Sequence, residues 1–244
     1  MKSTLALTLA LALAAASAAF ADTIIIDSFT AGNSFTLTNS NGTASHNYIT
    51  GASTNEIIGG SRQVRVRAAS SGFFGSSNIA INTTAGTLTS FGGDGNERFV
   101  QYGSAIGSQT FTGAGTDAPV DLNLNLSLAD TIHFEVTSLG SPATVQLSIL
   151  SNGESYQSPY FGINIPSTGS YSFSLGQISG FTEVLADDVD GFQFNFPMTA
   201  ATAGAGITVS NLRLETAAIP EPSSFAALAG LASLGWVASR RRRA

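Results

Sequence analysis

Residues 132–136 read Ile-His-Phe-Glu-Val, an alternation in which every second side chain is hydrophobic. Side chains on a strand point alternately to opposite faces, so this stretch predicts a β-strand with one buried and one solvated face. Comparable alternation recurs at residues 35–38, 63–67, 122–126, 145–149, 171–175, 192–196 and 207–214. Because no comparable stretch shows a helical period, the sequence predicts an all-β domain.

Turn-forming residues separate these stretches. Tight turns or loops are predicted at Asn41-Gly42, Gly59-Gly60, Gly92 to Asn96, Asn152-Gly153 and Asp190-Gly191. The continuous apolar run from Thr23 to Ile26 is typical of an internal strand. Alternating strands joined by such turns predict an antiparallel two-sheet sandwich of the jelly-roll kind.

The N-terminus has the composition of a secretory signal peptide. Lys2 precedes an apolar run from Leu5 to Ala16, and small residues then lead to Ala19-Phe20-Ala21. An A-x-A site of this kind predicts cleavage by signal peptidase before Asp22, after passage through the export machinery. We therefore interpret residues 1–21 as a targeting segment, the alternative being an uncleaved N-terminal anchor.

The C-terminus has three parts in a fixed order: the tripeptide Pro220-Glu221-Pro222, an uncharged stretch over 223–239, and a basic tail of Arg240, Arg241, Arg242 and Arg243. The prolines keep the tripeptide extended. At about 1.5 Å rise per residue, a helix over 223–239 spans roughly 25 Å and predicts a transmembrane helix. The arginines place its end in the cytoplasm. Residues 22–216 are then the β-sandwich ectodomain, and 217–244 form a separate C-terminal segment.

This C-terminal segment resembles the PEP-CTERM sorting signal of Gram-negative bacteria. The resemblance implies processing at Pro220, Glu221 and Pro222 by exosortase, a membrane-embedded, transpeptidase-like enzyme. It also implies transient anchoring in the inner membrane before the protein reaches the cell surface or extracellular matrix. A role beside the exopolysaccharide of a biofilm follows from the same resemblance.

Charge and cysteine content exclude several functions. The whole chain carries a net charge of −6, but residues 22–219 hold five arginines, no lysine and fifteen acidic side chains, which gives −10. Such a surface repels nucleic acid and other anionic polymers at long range, so we expect no nucleic-acid partner. The absence of cysteine removes thiol nucleophiles and Cys-ligated zinc.

A second, weaker resemblance concerns the end of the ectodomain. Residues 187–194, followed by 207–214, look like the closing hairpin of galactose-binding-like and carbohydrate-binding jelly rolls. The Asp that can serve a structural calcium in some relatives would fall near Ser210 or Asn211, where this chain has no carboxylate. Independently, Asp187, Asp188 and Asp190 could bind calcium through their carboxylates, as could the loop from Gly92 to Glu97. The alternative for each is a solvated turn, and no other cofactor is expected.

Few residues suggest catalysis. His133 and Glu135 share one strand face and could form an acid–base pair, or could decorate the solvent side between buried neighbours. His46 lies in a polar stretch that predicts a loop. No Gly-x-Ser-x-Gly motif is present. We therefore predict that the chain has no catalytic residues.

Ligand binding has its own candidates. Gln63, Arg65 and Arg67 share a strand face, and Tyr102 could stack on a sugar, although core packing is the alternative for each tyrosine. The PEP-CTERM resemblance implies a structural or adhesive surface protein. The alternatives are a carbohydrate-binding module with a defined glycan ligand and a polysaccharide-degrading enzyme, which would need two carboxylates roughly 5–9 Å apart.

Overall fold

The computed structural model describes residues 23–39, 44–67, 77–92, 97–103, 121–127, 129–151, 154–178, 188–196 and 206–216. These residues form β1 Thr23–Asp27, β2 Phe35–Asn39, β3 Ser45–Ile49, β4 Arg62–Arg67, β5 Ser77–Asn82, β6 Thr87–Phe91, β7 Glu97–Gly103, β8 Ala129–Leu139, β9 Ala143–Ser151, β10 Glu154–Ile165, β11 Gly169–Ser174, β12 Val189–Asn195 and β13 Gly206–Thr216. Short 3₁₀ turns cover Ile58–Gly60 and Leu175–Gln177. Within these ranges no helix has the length and apolar character that crossing a membrane requires.

The strands form two antiparallel sheets. The seven-stranded sheet has the order β11-β8-β13-β6-β5-β2, with β1 also paired to β13. The six-stranded sheet has the order β10-β9-β12-β7-β4-β3. Strand β13 pairs with β6 through its first half and with β1 through its second half, and Asn211, with φ 55°, lies at the change of partner. The fold is therefore the all-β two-sheet sandwich that the sequence predicts.

The core lies between the sheets and follows from the alternation of apolar and polar residues. Val64, Val100, Phe194 and Leu147 are register partners on neighbouring strands of the six-stranded sheet, and all four are buried. Phe173 of the other sheet meets Phe194 at a ring-centroid distance of 6.4 Å. Because alternate residues face opposite ways, the residues between these core positions must project from the outside of the sandwich.

The predicted strands at 35–38, 63–67, 132–136, 145–149, 171–175, 192–196 and 207–214 are confirmed: each lies within an observed strand or extends past its end by one residue. The stretch 122–126 is wrong as a strand. It makes a single bridge, from Leu124 to Val189, and Asn123 has the left-handed φ of 47° that interrupts an extended segment.

Three further expectations are corrected. Asp190-Gly191 is not a turn but part of β12, where the register shifts against β9 in a bulge. β1 is not an internal strand; its one strand partner among the described residues is β13, and Ile24 is 36% exposed. His46 belongs to β3 rather than to a loop. The predicted turn at Gly59-Gly60 is confirmed, with φ of 65° and 69°.

Candidate functional site

The outer face of the six-stranded sheet carries two rows of mostly polar side chains that cross five strands, and beside them lies the register pair of Arg67 and Glu97. Register partners on β3, β4, β7, β12 and β9 form the first, which we call the amide row: Tyr48, Gln63, Gln101, Gln193 and Ser148. Partners on the same five strands form the second, the arginine row: His46, Arg65, Phe99, Asn195 and Gln146. The two rows together are the polar face. Their strand neighbours pack in the core, so both rows point away from it.

The amide row is buried, although it lies outside the hydrophobic core. Gln63 is 1% exposed, Gln101 0% and Gln193 3%. In the arginine row, by contrast, Arg65 and Asn195 are half-buried. The polar face therefore combines a desolvated set of amides with a second row that remains accessible to solvent.

Several polar atoms of this face lack a hydrogen-bond partner in the part of the chain that the structure describes. They are Gln63 Nε2, Gln193 Oε1 and Asn195 Oδ1. Asn195 Nδ2 does donate, to Gln146 Oε1 at 3.2 Å. A buried polar atom without a partner costs about 1–3 kcal/mol of stability, so native proteins rarely keep several together. The set includes a donor and two acceptors, which could be satisfied by a ligand that both donates and accepts.

The charge of the polar face is set by Arg65. Its guanidinium lies 5.4 Å from the centroid of the Phe99 ring, a cation–π geometry. Burial lowers the pKa of His46 below its ordinary value, and the charge of Arg65 lowers that pKa further. His46 is therefore neutral at pH 7. Neither row contains a carboxylate, so the ten side chains together carry one positive charge.

A different polar cluster lies on the inner side of the sandwich, between the sheets. Arg62 Nη1 of β4 donates to both carboxylate oxygens of Asp27 in β1, each at 2.8 Å. Tyr102 of β7 donates its hydroxyl to Asp27 Oδ2 at 2.8 Å, and the Phe29 N–H donates to Oδ1 at 2.7 Å. Arg62 Nη2 donates to the Ala31 carbonyl at 3.2 Å. We call Asp27, Arg62 and Tyr102 the inter-sheet cluster.

Burial dominates the protonation of this cluster. It raises the pKa of Asp27, and Arg62 together with the hydrogen bonds from Tyr102 and the Phe29 N–H counteracts part of that rise. It also raises the pKa of Tyr102 well above 10.0, and the neighbouring Asp27 adds to the effect. Because all three side chains lie between the sheets, the cluster joins the two sheets and has no face toward solvent. Tyr102 is therefore a core residue, the alternative to stacking on a sugar.

His133 and Glu135, which the sequence offers as an acid–base pair, contact different partners in the structure. His133 Nε2 lies 3.0 Å from Glu215 Oε2, whereas Glu135 Oε1 accepts from Asn211 Nδ2 at 3.0 Å. Arg213 holds the other oxygen of Glu215 at 2.9 Å. These contacts lie on the outer face of the seven-stranded sheet, opposite the polar face across the sandwich, and they satisfy surface charges.

The other predicted site residues are distributed as follows. Asp188 is half-buried, and Asp190 is 7% exposed. Within the described ranges no three Asp, Glu or His side chains come together as a metal site. Arg65 and Gln63 share the polar face as predicted. Outside the described residues lie Ala19, Ala21, Asp187, Pro220, Glu221, Pro222, Arg240, Arg241, Arg242 and Arg243.

Sequence reasoning missed most of the polar face. Gln193 and Asn195 occupy the polar positions of the Phe-Gln-Phe-Asn-Phe alternation at 192–196, and Gln146 and Ser148 those of residues 145–149. The available signal was the kind of polar residue. Ordinary solvated strand faces carry threonine and charged side chains, whereas these positions carry amides. Which strands lie side by side could not be read from the sequence, so the rows themselves could not be assembled.

Comparison with solved structures finds low-identity similarity to carbohydrate-binding modules. A family 11 module from Clostridium thermocellum, in complex with a β-1,3-1,4-mixed-linked tetrasaccharide, is 13% identical, with a TM-score of 0.37 over 79% of this chain and 94% of that one. A family 11 module of a cellulosomal cellulase of the same organism is 13% identical, with a TM-score of 0.39 over 82% and 97%. A family 4 module is 14% identical, with a TM-score of 0.32 over 81% and 96%.

No curated protein matches the sequence. A family model does match, over residues 218–243, and its description is the PEP-CTERM protein-sorting motif. The match begins two residues before the Pro-Glu-Pro tripeptide and continues through the apolar stretch to the last arginine. These are the parts on which the sequence-based resemblance depends. The motif implies exosortase processing and export to the cell surface. This chain therefore carries a C-terminal PEP-CTERM sorting motif behind an all-β sandwich.

Proposed function

We propose that this chain is an exported, non-catalytic surface protein that exosortase processes and that binds extracellular polysaccharide through the polar face. The sorting motif supports the route to the surface. The observation that carries the binding function is the group of buried amide atoms without partners in the described chain, Gln63 Nε2, Gln193 Oε1 and Asn195 Oδ1, on the outer face of the six-stranded sheet.

Sugar hydroxyls suit this face because each of them both donates and accepts hydrogen bonds. The unpartnered amides offer both functions, and they are buried in the folded chain. A ligand that completes their hydrogen bonds therefore gains binding energy without a further desolvation penalty at those atoms. The rows cross five strands spaced about 4.8 Å apart, or about 19 Å in all. That length suits a chain of sugars lying across the strands.

A hydrolytic function fits the polar face poorly. Glycosidases require two carboxylates flanking the scissile bond, and neither row includes an aspartate or a glutamate. The amides and Arg65 can hold a saccharide but cannot exchange protons with it at neutral pH, which leaves His46 as the one imidazole of the two rows. Binding, in a structural or adhesive role at the surface, is the function that these side chains support.

The binding proposal is tested with Gln193→Leu in the full-length chain, solubilised in a mild non-ionic detergent and screened on a polysaccharide array. We expect Gln193→Leu to lose binding while its thermal midpoint holds or rises, because the substitution removes a buried acceptor that lacks a partner. Thr208→Val, on the outer face of the seven-stranded sheet, is the matched control and should bind like the wild type. Wild-type binding by Gln193→Leu would contradict the proposal.

Processing is tested separately in the producing host with Glu221→Ala. We expect an unprocessed form to accumulate in the membrane fraction, heavier than the mature protein by the apolar stretch and basic tail. Ser224→Ala, outside the tripeptide, should be processed normally. If Glu221→Ala yields the wild-type mature product, exosortase does not recognise this carboxylate, and the C-terminus acts as a simple anchor.

A further inference from the structure

We infer that copies of this chain associate head to tail, with β2 of one copy pairing with β11 of the next, so that the seven-stranded sheet continues from copy to copy. The partner is a second copy of this chain, and the contact does not depend on polysaccharide binding. Three properties of the two strands point to it: their direction, their composition and the way their side chains alternate.

Both strands lie at open edges of the sheet. Among the residues that the structure describes, β2 pairs only with β5, over Phe35–Asn39, and β11 pairs only with β8, over Gly169–Ser174. Each ladder runs without a register shift. The other side of each strand therefore presents a regular row of backbone N–H and C=O groups, which is a template for a further strand.

The direction of the two strands suits a head-to-tail contact. Six strands lie on the path from β11 to β2, and each is antiparallel to the next. For β8 and β13 this follows from side-chain contacts, since His133 meets Glu215 whereas Thr137 meets the carbonyl of Thr208. Five reversals leave β2 and β11 running in opposite directions. A second copy displaced sideways along the sheet thus places its β11 antiparallel to β2 of the first, which continues the order of the sheet.

The composition of these edges does not oppose pairing. β2 reads Phe-Thr-Leu-Thr-Asn and β11 reads Gly-Ser-Tyr-Ser-Phe-Ser, without a charged residue or a proline. Native proteins usually protect an edge strand with lysine, proline or a bulge. In the six-stranded sheet the edge strand β10 has such protection, because it contains Pro159 and its register against β9 shifts between Tyr156 and Phe161. The contrast indicates that the seven-stranded sheet is the one that accepts a further strand.

The side chains of β2 and β11 alternate in the same way. Phe35 and Leu37 of β2 and Tyr171 of β11 pack against the core but remain half-buried, as expected beside an empty strand position. Thr36 and Ser172 point outward and are exposed. Pairing of β2 with β11 places apolar side chains beside apolar ones on the inner side and hydroxyls beside hydroxyls on the outer side. New backbone hydrogen bonds and newly buried apolar surface then both favour the contact.

The contact joins two different edges, so it is heterologous and leaves a free β2 at one end and a free β11 at the other. Assembly therefore continues beyond a dimer, and each copy keeps the outer faces of both its sheets uncovered. Residues 22–219 carry −10, so copies repel one another at low salt. Raising the salt from about 0.01 M to about 0.15 M shortens the Debye length from about 30 Å to about 8 Å and should promote assembly.

Cysteine cross-linking tests the contact in the full-length chain, in a mild non-ionic detergent. The chain has no cysteine of its own, so each introduced thiol is the only one present. Chains with Thr36→Cys are mixed with chains with Ser172→Cys and treated with a thiol reagent that spans roughly 7–8 Å, the diagonal distance between neighbouring strands. Thr87→Cys on β6 replaces Thr36→Cys in the control, because it lies three strand spacings, about 14 Å, from Ser172 across the same contact.

We expect at least tenfold more cross-linked dimer from Thr36→Cys with Ser172→Cys than from the control mixture. Each of these variants alone should stay at the control level. A chain that carries both substitutions should give a ladder of trimers and longer products, which extends further at about 0.15 M than at about 0.01 M salt.

A mixture that cross-links no better than the control would overturn the inference. So would cross-linking of Thr36→Cys with itself, or of Ser172→Cys with itself, at the level of the mixture, because like edges would then meet in a closed, symmetric dimer. If Thr36→Cys does not fold by circular dichroism, Thr38→Cys takes its place on the same face of β2. Polysaccharide binding is decided separately, by the array with Gln193→Leu.

Discussion

Substituting Asp27 by asparagine should destabilise the sandwich far more than its single lost charge suggests. The change keeps the size of the side chain but leaves the Arg62 guanidinium, 1% exposed, without a counter-ion between the sheets. Removing one partner of a buried ion pair costs about 3–5 kcal/mol. Since a domain of this kind is stable by about 5–15 kcal/mol in total, the loss should be obvious in any unfolding experiment.

The assay is urea unfolding of the segment from Asp22 to Thr216, followed by far-ultraviolet circular dichroism; residues 23–215 form a compact unit of their own. The surface pair of Arg213 and Glu215, with side chains 22% and 30% exposed, is the matched control. Glu215→Gln should cost less than about 1 kcal/mol, because solvent screens a surface ion pair.

A double mutant separates the ion pair from packing. Arg62→Met alone leaves the buried carboxylate without a counter-ion, and Asp27→Asn alone leaves the buried guanidinium without one. Both single variants should therefore be strongly destabilised. The combined variant carries no unpaired buried charge. Its loss of stability should therefore be smaller than the sum of the two single losses by about 2 kcal/mol or more. Strict additivity, or a loss for Asp27→Asn no larger than that of Glu215→Gln, would refute the view that this cluster joins the sheets.

Two further predictions concern the same sandwich. Gly103→Ala should lower the free energy of unfolding by at least about 2 kcal/mol more than Gly51→Ala does, as measured by urea unfolding. Both glycines have φ near 70°, but a Cβ at position 103 would collide with the Asp190 carbonyl, whereas a Cβ at position 51 would meet no other atom. Tyr102 has a folded-state pKa above its unfolded value of 10.0, so its contribution to stability is complete below pH 10 and is lost as the pH rises further. Tyr102→Phe should therefore show a smaller loss of stability than the wild type between pH 10 and 11.5 in thermal denaturation, and an equal loss would contradict this reading.

The sequence predicts the sandwich because alternation is a local signal. Where one face of a strand is buried and the other solvated, as in residues 132–136 and 192–196, the pattern by itself identifies the strand. Strands with weaker contrast were missed. β6, Thr87–Phe91, buries Ser90 and exposes Phe91, so its polar and apolar residues do not separate onto two faces. β3, Ser45–Ile49, is half-buried throughout, so it shows no contrast between its faces.

The errors at residues 122–126 and 190–191 have a common physical cause. Alternation predicts an extended conformation but not a neighbouring strand, and Leu124 reaches only one bridge to Val189. Asp-Gly is favoured in tight turns, but here both residues continue β12, and Asp190 is the extra residue of a bulge against β9. In both places tertiary pairing decided the outcome, and no local pattern reports it.

The polar face as a whole could not be predicted from the sequence, for a related reason. Gln63 and Arg65 were recognised as sharing a face because they belong to one strand. Gln193 and Phe99 join them only because β7 and β12 lie next to β4 in space, and register between strands distant in sequence depends on the whole fold. A site assembled across strands is therefore visible from the sequence only as single residues of a suitable kind.

The inter-sheet cluster and the amide row are both buried and polar, but they differ in whether the fold explains them. On the inner side, the Asp27 carboxylate receives hydrogen bonds from Arg62, Tyr102 and a backbone N–H, so the fold itself accounts for its presence. On the outer side, Gln63 and Gln193 keep buried atoms that the described chain leaves without partners, which lowers stability, and leucine at either position would not carry that penalty. Contacts within the described chain do not explain these amides. The proposed function does, because a saccharide on this face would offer hydroxyl groups that both donate and accept hydrogen bonds.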